Sequence, residues 1–543
     1  MGRAALLVAA VGPLVQAALI LAAQPHMTLY GDQALISMDA RRAARFDQLL
    51  GPYSVQGFHH PGPAVFYVLA PFTGLLSSVG AGLYLGATVF NGATLTAVVA
   101  LIRHRFGGAR ALWAAVAAAV WMLFVGVGTM REPWNPYLII APMVLFVALW
   151  ALSVADPAAR GAGVWAAVVG SYEVQTHVGT LPVVAVLLMG ALGVAWRRKQ
   201  SRKRSRKQKR SLPRVTRTGA LGGLLLVAMW VPSVVELWSD QPNNLALMWD
   251  YLRSGRRPAG IPAALRAGSA ALGVMPFGNH DYVLTLHRGV AAETATGVIL
   301  IVAAAVCIRA AHRRGQRVAR ELAVGGAAVA VIGTLSLGWA PRPLLAYYGE
   351  WLAVVPLILL LAGGLVVGPL IRPTSRSRPL STDPLAPAAA AIATAVAVSV
   401  MTVAQLRAIP ISSTTGSGPW PTLEAATTAG RRATVSETAV LDAAARRATV
   451  GSTPVGLVIA QPGLWPYAAG IALTLEEAGV RVVVPPSWRL YFGPHEAGTT
   501  ASGPTLILTA PGGNSTGPGR VIARTPAADL SLVAGKGGLR RNP

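Results

Sequence analysis

Apolar positions in this chain are gathered into unbroken blocks, and polar positions are confined to the short gaps between them. A block of about 20 apolar residues is the length that carries an α-helix across a bilayer. Such runs extend over Ala4 to Ala23, Gly82 to Ile102, Ala111 to Gly128, Tyr137 to Val154, Ala162 toward Glu173 and Pro182 to Trp196. They continue over Ala220 to Trp238, Thr294 to Ala311, Leu322 to Trp339, Trp351 to Ile371 and Ala386 to Leu406, so the pattern predicts eleven spans. The first reads as a retained signal anchor. Gly62 to Ser77 is apolar but is joined closely to the next run, and reads as a helix lying at the membrane surface.

Charge in the gaps sets the orientation. Arg103, Arg105 and Arg110, the turn from Arg309 to Arg320 and the turn from Arg372 to Arg378 fall on alternate sides of the ladder from the acidic gaps. The segment Arg197 to Arg217 alone holds twelve of the 47 Lys and Arg residues, which assigns that side to the cytoplasm. The N-terminus is then inside and the C-terminus outside. Composition agrees: 53% apolar and 13% charged residues exclude a soluble domain of this length. The net charge of +26 sits in clusters that match anionic lipid and not a nucleic-acid groove. Cys307 is the single cysteine and lies in an apolar run, so no disulfide within the chain and no thiolate metal site is expected.

The fold expected is a polytopic α-helical membrane protein with an extracytoplasmic α/β domain at its C-terminus. Residues 1–406 form the membrane domain, with a loop over 24–80 on the outer face, and 407–543 form the second domain. In that tail Val455 to Ala460, Val480 to Pro485 and Thr505 to Thr509 read as strands, and Ala468 to Ala478 as a helix closed by Gly479. A strand, helix, strand order predicts a parallel pair. No glycine-rich phosphate fingerprint follows the first strand, so nucleotide binding has no support there.

Ionisable residues in the expected outer gaps are the candidates for chemistry. The first gap carries Asp32, Asp39, His59 and His60; the second Arg131 and Glu132; the third His177; and a later one Arg342 and Tyr347. A carboxylate that takes a proton from a hydroxyl, beside cations that hold a phosphate leaving group, is the chemistry of sugar transfer from a lipid phosphate. Asp32, flanked by Gly31 just beyond the first span, is the strongest of these. Asp39, followed by Arg41, Arg42 and Arg45, fits a solvated helix face as well as a site. His59 and His60 fit polar anchors ahead of the Pro61-Gly62-Pro63 turn, Arg131 and Glu132 fit a pair at a helix end, and His177 fits a satisfied polar residue.

In order and separation, Gly31-Asp32-Gln33-Ala34, His60-Pro61-Gly62-Pro63, Arg103-His104-Arg105-Phe106-Gly107 and Arg131-Glu132 resemble the glycosyltransferase C superfamily. The branch resembled is the bacterial one of protein mannosyltransferase-like and lipid A aminoarabinose transferase-like enzymes. The resemblance covers roughly residues 1–200. It implies inverting transfer of a sugar from a polyprenyl-phosphate donor to an envelope glycan, lipid or protein outside the cytoplasmic membrane. Asp32 would be the general base or would orient the acceptor, with Glu132 as second acid and His60 near the donor phosphate. Asp39, His59, Arg131, His177, Arg342 and Tyr347 would contribute to substrate binding. Some relatives use a divalent cation, but Asp32 is followed by Gln33 where an acid is usual, and separated carboxylates do not establish a cation site. The alternative, a transporter or flippase for a lipid-linked or envelope substrate, should show charges at mid-membrane and two similar halves, whereas the spans here are largely free of charge and no halves repeat. A non-enzymatic scaffold would leave the outer acids dispensable.

Overall fold

The structure is a computed structural model. It describes residues 1–543 except 24–26, 77, 160, 205–215, 240–241, 273–289, 343, 368–395, 397–399, 401–402, 404–434, 450, 452–453, 499–502, 513–518 and 534–543. All but three residues of the expected span Ala386 to Leu406, the turn Arg372 to Arg378 and about half of the basic run Arg197 to Arg217 therefore lie outside the described residues.

Ten of the expected runs coincide with helices. In chain order the helices of the first domain are α1 (Gly2–Ala23), α2 (Gly31–Ala43), α3 (Ala64–Leu69), α4 (Val79–Phe106), α5 (Gly108–Val125), α6 (Val127–Arg131), α7 (Ile140–Ala155) and α8 (Ala162–Thr176). They continue with α9 (Leu181–Arg204), α10 (Arg217–Ser239), α11 (Asn244–Arg253), α12 (Ile261–Leu272), α13 (Val290–Arg313), α14 (Arg317–Ser336) and α15 (Val354–Val367). Among the described residues eight helical stretches are long and apolar enough to cross a membrane, and α7 is a shorter apolar helix. Local chemistry accounts for their ends. The Ser78 side chain accepts the Ala81 N–H at the start of α4, while Arg103, His104 and Arg105 occupy its last turn, where the helix dipole favours positive charge.

Burial divides the spans into two sets. α7 packs against α4, α14 and α15, and Phe146, Leu138, Leu357, Ile358 and Trp351 are buried in the core there. α10 and α13 instead expose Leu224, Val227, Ile299 and Val306, as helices that face lipid do. The surface piece expected after Pro63 is the short α3 followed by the turn Ala70–Phe72.

The first departure from expectation concerns the acidic loop, which is largely helix. α2 occupies Gly31–Ala43, and all of its residues but Asp32, Asp39 and Arg41 are buried. A solvated-face reading of Asp39 fails, because its carboxylate pairs with the buried Arg42 at 2.8 Å. Asp47, by contrast, lies on the surface beside Arg45. After α2 a small antiparallel ribbon, β1 (Tyr53–Ser54) with β2 (Phe58–His59), returns the chain to His60.

The C-terminal domain holds a five-stranded sheet in the order β4-β3-β5-β7-β6. Its strands are β3 (Val455–Ile459), β4 (Val482–Val483), β5 (Thr505–Thr509), β6 (Arg520–Arg524) and β7 (Asp529–Val533). β3 pairs in parallel with both β4 and β5, with the helix α17 (Trp465–Glu477) crossing from β3 to β4. The antiparallel strands β6 and β7 and the preceding helix α16 (Val435–Ala448) escaped the sequence pattern. β6 is polar and half-exposed, so it carries too little hydrophobic signal to be recognised.

Candidate active site

α2, the β1–β2 ribbon, the loop after α6, the start of α9, α11 and the loop after α14 surround a cavity of about 580 Å³. That is the size of a small-molecule site. Six ionisable side chains of the described residues other than tyrosine line it: Asp32, Asp39, His60, His177, Arg256 and Arg342. Most of the remaining wall is aromatic or aliphatic, including Tyr53, Phe58, Phe66, Trp134, Tyr251, Tyr347 and Tyr348.

Asp32 lies in the first turn of α2, where a carboxylate faces the positive end of the helix dipole. Gly31 before it has φ +56, a conformation that admits glycine and strains other residues. Asp32 Oδ2 accepts a hydrogen bond from Trp134 Nε1 at 3.0 Å, and the Tyr53 phenol is the other polar neighbour of the carboxyl. Burial raises the Asp32 pKa above the usual carboxylate range, opposed by the Tyr53 and Trp134 hydrogen bonds. Trp134 is braced edge-on by Tyr347, with ring centroids 5.2 Å apart.

His60 and His177 face each other across the cavity wall with ring centroids 5.0 Å apart. His60 Nδ1 accepts the Val178 N–H at 3.1 Å, which leaves the proton of the neutral ring on Nε2. Burial lowers both imidazole pKa values, His60 well below the usual range and His177 to about 4, so both rings are neutral donor and acceptor groups at pH 7. His59 points elsewhere: its Nδ1 meets the Gly51 carbonyl at 2.9 Å, and it does not line the cavity. The whole turn is held by Asn244, which accepts the His59 N–H at 2.7 Å and donates to the His59 carbonyl at 2.9 Å. Gly51 is needed for this packing, since a Cβ there would stand 2.4 Å from the His60 carbonyl oxygen.

The expected second acid is not in the cavity. Glu132 is buried, accepts the Tyr84 hydroxyl at 2.8 Å through Oε2 and accepts Gln33 Nε2 through Oε1. It therefore ties the loop after α6 to the residue that follows Asp32, and burial pushes its pKa up to about 7. Arg131 turns away as well, into a small separate cavity lined by Gln16, Thr88 and Asn91. Arg342 and Arg256 are exposed guanidiniums at the cavity wall. Arg342 is steadied by donating to the Ala259 carbonyl at 2.7 Å, and Arg256 lies over the Tyr251 ring, 5.4 Å from its centroid.

With Glu132 engaged on both oxygens and Asp39 paired to Arg42, these carboxylates do not form a cation cage around Asp32. Among the described residues no three acidic, histidine or cysteine side chains converge as metal ligands would.

No family model and no curated sequence matches the chain. Among solved structures it is similar to ArnT from Cupriavidus metallidurans bound to undecaprenyl phosphate, with a TM-score of 0.55 and 14% identity over 97% of each chain. The apo state of the same protein gives a TM-score of 0.53 and 13% identity over 94% of each chain. The chain has the ArnT fold. The expected architecture, a polytopic helical domain followed by a smaller mixed domain, is thus present, and the likeness to these structures extends along nearly the whole length.

Within that fold, sequence reasoning found Asp32, Asp39, His60, His177, Arg342 and Tyr347 on the cavity wall, and placed His59, Arg131 and Glu132 there although they stand outside it. It passed over Tyr53, Trp134, Asn244 and Arg256. Trp134 lies only two residues beyond Glu132 in sequence, but it, and not Arg131 or Glu132, reaches Asp32.

Proposed function

We propose that this protein transfers a sugar from a polyprenyl-phosphate donor to a hydroxyl of a cell-envelope acceptor, at the extracytoplasmic face of the cytoplasmic membrane. The observation that carries the reading is the meeting of Asp32 with Arg256, Arg342, His60 and His177 on one largely apolar cavity. It is supported by the fold, whose solved counterpart is described as bound to undecaprenyl phosphate.

The acceptor oxygen attacks the anomeric carbon while Asp32 takes its proton. The bond from that carbon to the phosphate oxygen breaks, and its electron pair leaves with the polyprenyl phosphate. A single displacement of this kind inverts the anomeric centre. Arg256 and Arg342 would balance the charge that grows on the leaving phosphate. Burial makes Asp32 a stronger base than a solvated carboxylate once it is ionised. His60, neutral and carrying its proton on Nε2, would offer a hydrogen bond to substrate without adding charge. Trp134, Tyr347 and Tyr251 present ring faces suited to the apolar face of a sugar.

The test is to incubate the full chain, reconstituted in vesicles, with radiolabelled polyprenyl-phosphate sugars extracted from envelope lipid, together with envelope acceptors. Release of polyprenyl phosphate in step with labelled acceptor is the expected result. Movement of intact lipid-linked sugar between leaflets without cleavage would replace this reading by transport.

A further inference from the structure

The C-terminal domain contributes none of the described residues that line the cavity, yet it grips the helix that carries Asp32 at both ends. At the N-terminal end of α2, a Cβ on Gly31 would stand 3.6 Å from Pro466 and 3.7 Å from Trp465, the first residues of α17. Trp465 packs edge-on against Tyr53 at 5.5 Å between centroids, and Tyr491 lies 4.8 Å from the same ring. Tyr53 is the polar neighbour of Asp32, so both the helix and the second contact of the carboxyl are held from the same side.

At the C-terminal end of α2 the contact is ionic. The Arg42 guanidinium, with only 6% of its side chain exposed, pairs with Asp39 of its own helix at 2.8 Å. It also pairs with Glu476, near the end of α17, at 3.7 Å, and with Glu496 in the loop ahead of β5. Burial works against the Arg42 charge, and the three carboxylates more than offset it. An arginine that gathers two acids from another domain inside a buried interface is a directional fastener, because its planar fork fixes distance and angle where apolar packing would allow sliding. Asp39 extends the fastener to the cavity wall.

We propose that Arg42 is a positioning residue, and that the C-terminal domain acts on the reaction by clamping α2 so that Asp32 is held at its place beside Trp134 and Tyr53. This rests on the reading of Asp32 as the base. The measurements below need no turnover, so an error about the clamp and an error about the reaction give different results.

The full chain in detergent would be compared with Arg42→Met, Arg42→Lys and Glu496→Gln. Amide exchange over Gly31–Ala43 reports the clamp, and the indole Nε1–H resonance of Trp134, identified by its loss in Trp134→Phe, reports the Asp32 contact. Arg42→Met should speed exchange across Gly31–Ala43 by about tenfold or more, a factor that corresponds to 1.4 kcal/mol, while Val79–Phe106 keeps its protection. It should also shift the Trp134 resonance. Arg42→Lys should restore much of both signals, which a loss of packing alone would not explain. Should Arg42→Met fail to fold, Glu496→Gln, which leaves Asp39 and Glu476 on Arg42, should move both signals in the same direction by less. Unchanged exchange over Gly31–Ala43 with an unchanged Trp134 resonance, in whichever of the two variants folds, overturns the proposal.

Discussion

Asp32→Asn separates chemistry from structure at this site. The amide has the shape of the carboxyl, and its oxygen can still accept the Trp134 Nε1–H that now lies 3.0 Å from Oδ2. Its nitrogen would take the other position and find the Tyr53 phenol as an acceptor. With those contacts kept, the change in folding stability should stay within about 1 kcal/mol, the net value of one hydrogen bond. The proton-accepting group is gone, however. A positioned general base contributes about 10²- to 10⁴-fold, which is about 2.7 to 5.4 kcal/mol of barrier. The assay is the initial rate of sugar transfer in reconstituted vesicles, beside a thermal unfolding midpoint for each variant. The wild-type rate should rise with pH as Asp32 ionises, above the usual carboxylate range because burial raises its pKa. The residual rate of Asp32→Asn should lack that limb. A variant rate within about threefold of wild type would leave less than 1 kcal/mol for the base and refute its role.

Three further outcomes follow from the same contacts. Burial raises Glu132 to about 7, opposed by its Tyr84 and Gln33 hydrogen bonds. A carboxyl whose folded pKa is raised holds its extra proton in the native state, so its contribution is complete below about pH 4 and is lost as pH rises through about 7. The unfolding midpoint in detergent should accordingly be higher at pH 6 than at pH 8.5, and a midpoint that rises with pH across this interval would contradict the burial described. Asn244→Ala leaves the His59 N–H and carbonyl without their partner and should cost about 2 to 4 kcal/mol, read as a lower unfolding midpoint together with weaker binding of undecaprenyl phosphate. Gly31→Ala meets only ordinary contacts at Pro466 and Trp465, so its cost is that of the left-handed backbone, about 1 to 2 kcal/mol; an unchanged midpoint would show that α2 begins elsewhere.

Much of the membrane domain was legible because lipid imposes a length and a composition on each span. Ten runs read from hydropathy alone coincide with helices, and β5 was placed at Thr505–Thr509 to the residue. α2 was hidden because only three of its residues are not buried, so its sequence lacks the one-sided pattern by which a helix is recognised. β6 was hidden for the opposite reason, being too polar.

What the sequence determined by itself was the class of solvent each segment meets, and with it the set of polar residues that cannot lie in lipid. Asp32, His60, His177 and Arg342 were recognisable from that alone, since a charge or imidazole at the end of an apolar run has few places to go. Which of those groups share a cavity was decided only by tertiary packing. Arg131 and Glu132 lie within three residues of Trp134 in the chain, yet Trp134 reaches Asp32 while Glu132 turns to Tyr84 and Gln33 and Arg131 lines a separate small cavity. Arg42 and Glu496 are separated by more than 450 residues of chain and meet because a second domain packs along α2. Hydropathy reports whether a residue is buried, and carries no information about what it is buried against.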